Sequence, residues 1–147
     1  MKQKFVDLYM DWARRTSQLS HAQRLKVGAV VVKDDTVISY GYNGMPAGWD
    51  NNCEYEELGS YGGLPIPHLV TRPEVLHAES NAIAKLARGH NSGQDATIFI
   101  THSPCLECAK LIYQAGIISV YYEHAYRDQQ GINFLLRSGV TVEQINV

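Results

Sequence analysis

Two short segments of this 147-residue chain hold residues able to bind a metal and to move protons: His77-Ala78-Glu79 and Pro104-Cys105-Leu106-Glu107-Cys108. Cys105 and Cys108 stand three apart at the expected start of a helix. That spacing puts both sulfurs on one face, and the helix N-terminus favours thiolate over thiol. With His77 they make three donors. A structural zinc takes four protein ligands, whereas a catalytic zinc takes three and keeps one position for water. Two thiolates and a neutral imidazole leave the metal formally neutral, so that water can lose a proton near neutral pH without a large build-up of negative charge. Glu79 is then the natural proton carrier, with general base and general acid in one residue.

The elements around these segments must aim them at one point. His77 and Glu79 are two apart, and such residues converge only from the first turn of a helix, over its open end. The spacing therefore predicts a helix that begins close to His77. Thr71-x-x-Glu74 has the form of a capping box and offers an earlier start, which would put His77 in a second turn. Ser103-Pro104 reads as an N-cap followed by proline at the first helical position, opening a helix from Cys105 to about Ala115.

Elsewhere, Phe5, Leu8, Tyr9, Trp12 and Leu19 recur at helical spacing and predict an amphipathic first helix ending near Leu19. Val27 to Val32 and Thr36 to Tyr40 read as a hairpin. Gly41 to Pro73, rich in Gly, Pro and Asn, reads as a long loop lining a site. Leu76, Ile83 and Leu86 mark a helix ending before Gly89. Ala96–Thr101, Ile117–Tyr122 and Thr141–Val147 read as strands, and a helix capped by Asp128 and ended by Gly139 lies before the last of them. Strand and helix alternate in this half, which implies parallel pairing with helices on both sheet faces.

Composition narrows the function classes. Hydrophobic residues make up 45% and charged residues 19%, so the chain reads as one folded domain over 1–147. Asp7, Asp11, Arg14 and Arg15 interrupt the apolar residues near Met1, excluding a signal h-region and a membrane span there, and a soluble cytoplasmic protein is expected. A net charge of −2 and a pI near 6.3 give no general reason to bind a nucleic acid, so a small molecule is favoured. His21, Arg24 and Lys26 form a local cluster able to hold a phosphate. Three cysteines, two of them in Cys-x-x-Cys spacing, suit metal or redox chemistry better than a disulfide framework.

His-x-Glu followed by Pro-Cys-x-x-Cys is the known signature of zinc nucleobase deaminases; the match is one of pattern, and its two halves are specific only together. Beyond them the chain resembles deoxycytidylate (dCMP) deaminases over most of its length. The resemblance is carried by Val27-Gly28-Ala29-Val30-Val31-Val32, Gly41-Tyr42-Asn43-Gly44-Met45-Pro46-Ala47-Gly48, His77-Ala78-Glu79-Ser80-Asn81-Ala82-Ile83 and Ser103-Pro104-Cys105-Leu106-Glu107-Cys108-Ala109-Lys110. It implies a cytidine-deaminase-like α/β fold, a three-layer α/β/α sandwich around a five-stranded mixed sheet. It implies conversion of dCMP to dUMP and ammonia, with Zn2+ on His77, Cys105 and Cys108 and Glu79 as proton shuttle. It further implies a homohexamer activated by dCTP and inhibited by dTTP, with Mg2+ accompanying either effector. By the same resemblance Asn43 contacts the sugar, Arg24 the phosphate and Tyr126 the bound nucleotide, Ala78 and Ser103 belong to the substrate site, and Gly41, Tyr42, Asn43 and Gly44 contribute to the effector site. Many relatives carry a second, structural zinc with a cysteine before the Val-Gly-Ala-Val strand. Here that stretch is Ser20-His21-Ala22-Gln23-Arg24, and only Cys53, His68 and His21 remain as candidate remnants, so a second zinc is not expected.

Simpler readings compete at several positions. Cys53, His90 and His124 read as packing residues, and His68 as either packing or ligand. Arg14 and Arg15 read as a solvated helix face, whereas Arg72 and Arg127 either bind phosphate or face water. Cys105-x-x-Cys108 as a redox pair is disfavoured by Pro104 and by the upstream His-Ala-Glu. The rival enzymes are zinc deaminases of another cytosine or adenine base, nucleoside or RNA adenosine. The rival from another class is a non-catalytic, zinc-stabilised nucleotide-binding module, which would have no use for Glu79.

Overall fold

The computed structural model describes residues 1–126 and 128–145; Arg127 and the end of the expected last strand, Asn146 and Val147, lie outside the described residues. The chain opens with α1 (Gln3–Ser17), followed by the hairpin of β1 (Gly28–Lys33) and β2 (Thr36–Tyr42). Asp34 and Asp35 make its turn at φ +51° and +57°, a conformation that short polar side chains tolerate. A second hairpin, β3 (Glu54–Tyr61) and β4 (Leu64–Thr71), leads to α2 (Ala78–Arg88). Then come β5 (Thr97–His102), α3 (Leu106–Gln114), β6 (Ser119–His124), α4 (Gln130–Arg137) and β7 (Thr141–Gln144).

Five strands form one mixed sheet in the order β2-β1-β5-β6-β7. β1 runs antiparallel to both β2 and β5, while β5, β6 and β7 are parallel, as the alternation in the second half requires. The β-branched strands are buried on both faces, as expected for a sheet between helix layers. On one face Val31, Ile98, Ile100 and Val120 pack against Ala82 of α2, Ile112 of α3 and Leu135 of α4. On the other, Val30, Val32 and Phe99 pack under Val6, Tyr9, Met10 and Ala13 of α1. This is the three-layer α/β/α sandwich.

Two expectations change. The buried face of α1 is Val6, Tyr9, Met10, Ala13 and Thr16, whereas Leu8, Trp12 and Leu19 are about half exposed. The helix carries two apolar stripes, and backbone approach selects between them. A Cβ at Gly28 would lie 2.1 Å from the Ala13 carbonyl, so the helix sits on the sheet with its small-residue side. Secondly, the segment from Gly41 to Pro73 is not one irregular loop, because β3 and β4 pair from Glu54↔Thr71 to Tyr61↔Leu64 and turn through Gly62-Gly63. Pro65 and Pro67 masked the strand. Being two apart, they leave their missing N–H groups on one edge, the arrangement a strand tolerates. This hairpin packs chiefly on itself and leaves Leu58, Tyr61 and Leu64 largely exposed.

Candidate active site

The N-termini of α2 and α3 meet beside the C-terminal ends of β5 and β6, the usual position for a site in an open α/β sheet. His77 is the N-cap of α2, with extended backbone, so the helix begins where the two-residue spacing of His77 and Glu79 requires. The earlier start does not occur, since Thr71 ends β4 and Pro73-Glu74 turn before the helix. The N-cap of α3 is Cys105 rather than Ser103, its Sγ accepting the Cys108 N–H at 3.5 Å. A sulfur thus does the capping that an oxygen was expected to do. Ser103 Oγ instead accepts the backbone N–H of Tyr126 at 2.7 Å and fixes the segment after β6. Asp128 Oδ1 accepts from Gln130 N at 2.8 Å, but the N-cap of α4 is Gln129. α2 ends at Arg88 as expected, although Gly89 is extended and makes no left-handed turn.

His77 Nδ1 lies 3.3 Å from Cys108 Sγ and 3.6 Å from Cys105 Sγ. Tetrahedral zinc with Zn–S of about 2.3 Å and Zn–N of about 2.0 Å sets N···S at ~3.5 Å, so His77 already stands from both sulfurs at the spacing such an ion needs. Hydrogen bonds from Cys108 and His77 hold the Cys105 thiol down at about 4. The shared hydrogen bond and burial push the Cys108 thiol up. The two thiols titrate as a pair: the hydrogen bond they share favours loss of the first proton and opposes loss of the second, and a bound cation would favour the second. The bond from Cys105 also raises His77 against the effect of burial.

Glu79 sits in the first turn of α2 and is 5% exposed. Burial pushes its carboxyl up to about 7, against a hydrogen bond to its own backbone N–H and the charge of His77. A carboxyl in that range both takes and returns a proton near neutrality.

His77, Glu79 and Cys105 line a cavity of about 430 Å³, and the same cavity is lined by Arg24, Asn43, Ala78, Ser103 and Tyr126. The residues singled out for metal, proton transfer and substrate are thus brought to one place. Arg24 is exposed and its Nη1 donates to Thr71 Oγ1 at 2.9 Å. Asn43 is half-buried; its Oδ1 accepts from Val27 N at 2.9 Å and its Nδ2 donates to Leu25 O at 2.8 Å, so its amide chiefly braces the segment before β1. Gly41, Tyr42 and Gly44 are tied to the start of α2. Gly44 pairs with Leu76, Asn81 Nδ2 donates to Tyr42 O at 2.8 Å, and Gly41 lies against the Ala78 carbonyl. Glu54, Thr71 and His102 also line the cavity without having been singled out as functional, as does Cys53, which in sequence reads as packing or as a remnant of a second metal site. Their contacts cross the β3–β4 hairpin or the sheet, where local spacing carries no signal. His68 pairs with Glu57 on the hairpin, and Cys53 is buried with its Sγ 3.5 Å from Asn51 O. His124 Nε2 lies 3.0 Å from Glu123 Oε1, which is more than packing.

Removing the Ser103 hydroxyl leaves the Tyr126 N–H without its acceptor. Ser103→Ala is expected to cost about 1–3 kcal/mol of stability, measurable by urea denaturation, and to raise KM more than it lowers kcat.

Two helix N-termini facing one another beside the ends of parallel strands, one carrying a histidine and a glutamate and the other a cysteine pair, place the chain in the class of cytidine-deaminase-type domains. The profile of the cytidine and deoxycytidylate deaminase zinc-binding region matches residues 3–124, and the chain belongs to that family. ComE operon protein 2 of Bacillus subtilis (strain 168) is 40% identical over 129 residues, covering 87% of this chain and 64% of that protein. Deoxycytidylate deaminase of Enterobacteria phage T4 is 35% identical over 162 residues, covering 89% of this chain and 83% of that protein. The crystal structure of dCMP deaminase from cyanophage S-TIM5 in complex with dCMP and dUMP has a TM-score of 0.86 and 41% identity, covering 99% of both chains. Among the described residues no helix is long and apolar enough to cross a membrane.

Proposed function

We propose that this chain hydrolyses dCMP to dUMP and ammonia. The observation that carries the reading is the buried Glu79 carboxyl in the cavity that His77 and Cys105 line, with the Cys108 sulfur grouped beside those two donors, in a chain 41% identical to a dCMP deaminase whose crystals hold dCMP and dUMP. His77 Nδ1 and the two sulfurs would hold zinc, which when bound makes a water acidic enough to ionise near neutral pH. Glu79 takes a proton from the attacking water and passes it to N3 of the pyrimidine. Once the C4–O bond has formed, Glu79 takes the remaining proton from that oxygen and delivers it to N4; the C4–N4 bond breaks as the C4 carbonyl forms, and ammonia leaves. Arg24 at the cavity mouth offers the cation for the 5′-phosphate, while Tyr126, with its backbone held by Ser103, borders the nucleotide.

Regulation by dCTP and dTTP with Mg2+, in a homohexamer, belongs to the same reading and rests on resemblance. Two features support it. A second depression, lined by Met45, Trp49, Asp50, Asn52, Arg72 and Glu74, adjoins the glycine-rich segment. The apolar side chains of α1 and of the β3–β4 hairpin left exposed in a single chain suit contacts between subunits.

The test is ammonia release from dCMP, CMP, deoxycytidine and cytosine, with and without dCTP, alongside sedimentation. dCMP is expected to exceed deoxycytidine in kcat/KM by tenfold or more, the scale of one charge-assisted phosphate contact. Equal efficiency on the two would refute the phosphate requirement, and release from none of the four would refute the enzyme reading.

A further inference from the structure

Glu54, the first residue of β3, is 3% exposed. Its Oε2 accepts two backbone N–H groups, from Gln23 at 2.9 Å and Arg24 at 3.0 Å. Its Oε1 is buried and is the one such side-chain oxygen or nitrogen among the described residues without a hydrogen-bond partner. Native structures rarely leave a buried carboxylate oxygen unmet, because its lost hydration is not returned. Neighbouring side chains do not meet it. The Arg24 guanidinium is turned to Thr71, and the Asn43 amide is engaged by Leu25 and Val27. Glu54 nevertheless forms part of the cavity wall, together with Arg24, Asn43 and Thr71, while His77, Glu79 and Cys105 form the wall made by the helix starts.

Oε1 thus has no protein donor, and a donor brought by a ligand in the adjoining cavity would meet it. This step rests on the functional reading above. dCMP carries two kinds of neutral donor, the N4 amine and the 3′-hydroxyl. The amine is the group that Glu79 protonates, so it faces the starts of α2 and α3. The 5′-oxygen is phosphorylated and the sugar lacks a 2′-hydroxyl, so the 3′-hydroxyl is the only sugar donor left. We propose that Glu54 Oε1 accepts the hydrogen bond of the substrate 3′-hydroxyl, making Glu54 a specificity-determining residue for the sugar. Because Oε2 holds the N–H groups of Gln23 and Arg24, the same carboxylate ties sugar recognition to the segment that carries Arg24.

The experiment compares dCMP with 2′,3′-dideoxycytidine 5′-monophosphate on the wild-type protein and on Glu54→Ala. Wild type is expected to lose roughly ten- to a hundredfold in kcat/KM on the dideoxy substrate, the scale of a hydrogen bond to a charged group. In Glu54→Ala that ratio should collapse toward one. A wild-type protein indifferent to the 3′-hydroxyl, or a ratio unchanged in Glu54→Ala, overturns the inference while leaving dCMP deamination intact. Absence of dCMP turnover by wild type overturns the functional reading and this inference together. Should Glu54→Ala lose its fold along with the Gln23 and Arg24 anchor, a crystal structure of the wild-type protein with dUMP decides. Oε1 within about 3 Å of O3′ is expected, and a 3′-hydroxyl bonded elsewhere refutes the assignment.

Discussion

Glu79→Gln is expected to lower kcat for dCMP by about two to four orders of magnitude, the range of one general acid–base catalyst, with zinc content unchanged. Glutamine matches the shape of the buried carboxyl and leaves the donors His77, Cys105 and Cys108 untouched, but it cannot accept a proton from water and return one to the amine. KM should move far less than kcat, because the lost interaction belongs to the transition state. Stability gives a second readout. Burial raises the Glu79 carboxyl from an ordinary 4.5 to about 7. A raised carboxyl contributes most below its unfolded pKa and loses that contribution as pH rises through the folded value. Glutamine does not titrate. After zinc is stripped by a chelator, Glu79→Gln should therefore unfold at a higher temperature than wild type, and the gap should widen from pH 5 to pH 8, toward roughly 3 kcal/mol at most. A zinc-loaded Glu79→Gln protein that kept most of its activity would remove Glu79 from the chemistry.

The parts of the site that could be read from sequence depend on spacing along one element. His77 and Glu79 are useful together only at a helix start, and Cys105 and Cys108 share a face only on a helix, so four residues point to two helix starts before any tertiary contact is known, although Thr71-x-x-Glu74 leaves an earlier start open for one and the cap of the other falls on Cys105 rather than Ser103. The parallel half follows likewise, since β5 and β6 are short runs rich in β-branched and aromatic residues, and β5, β6 and β7 are separated by helices with recognisable ends. What could not be read depends on partners distant in the chain. Glu54 meets Gln23 and Arg24 across about thirty residues, and nothing near it in sequence marks it as buried. The β3–β4 hairpin is hidden by its prolines and by apolar side chains that find no cover within the chain. The choice between the two apolar stripes of α1 is made by Gly28, eleven or more positions beyond the helix residues it selects. Asn43 stands where the resemblance expects a sugar contact, yet its amide is largely engaged in holding Leu25 and Val27.

Gly131→Ala should be among the most damaging single-methyl additions in the molecule, although it touches no donor to the metal. A Cβ at Gly131 would lie 2.1 Å from the Pro104 carbonyl oxygen and 2.8 Å from that of Cys105. Both obstacles are backbone, so neither can rotate away as a side chain would, and either α4 or the Pro104-Cys105 segment must move. Forced overpacking costs about 1–3 kcal/mol and sometimes more; in a domain of this size each kcal/mol lowers Tm by about 2–4 °C, so a fall of roughly 2–12 °C is expected. The displaced element decides what else changes. Cys105 both caps α3 and supplies a sulfur, so a shift there opens the 3.6 Å approach to His77 Nδ1 and weakens the hold on zinc. Two controls separate this from general destabilisation. Gly44→Ala meets nothing within 4 Å and should leave Tm almost unchanged. Met10→Ala opens a cavity under α1 on the opposite sheet face, costs about 2–5 kcal/mol, and should retain zinc below its own Tm. Gly131→Ala should release zinc to a weak chelator at temperatures where Met10→Ala does not, and equal retention by the two would show that α4, rather than the cysteine segment, gives way.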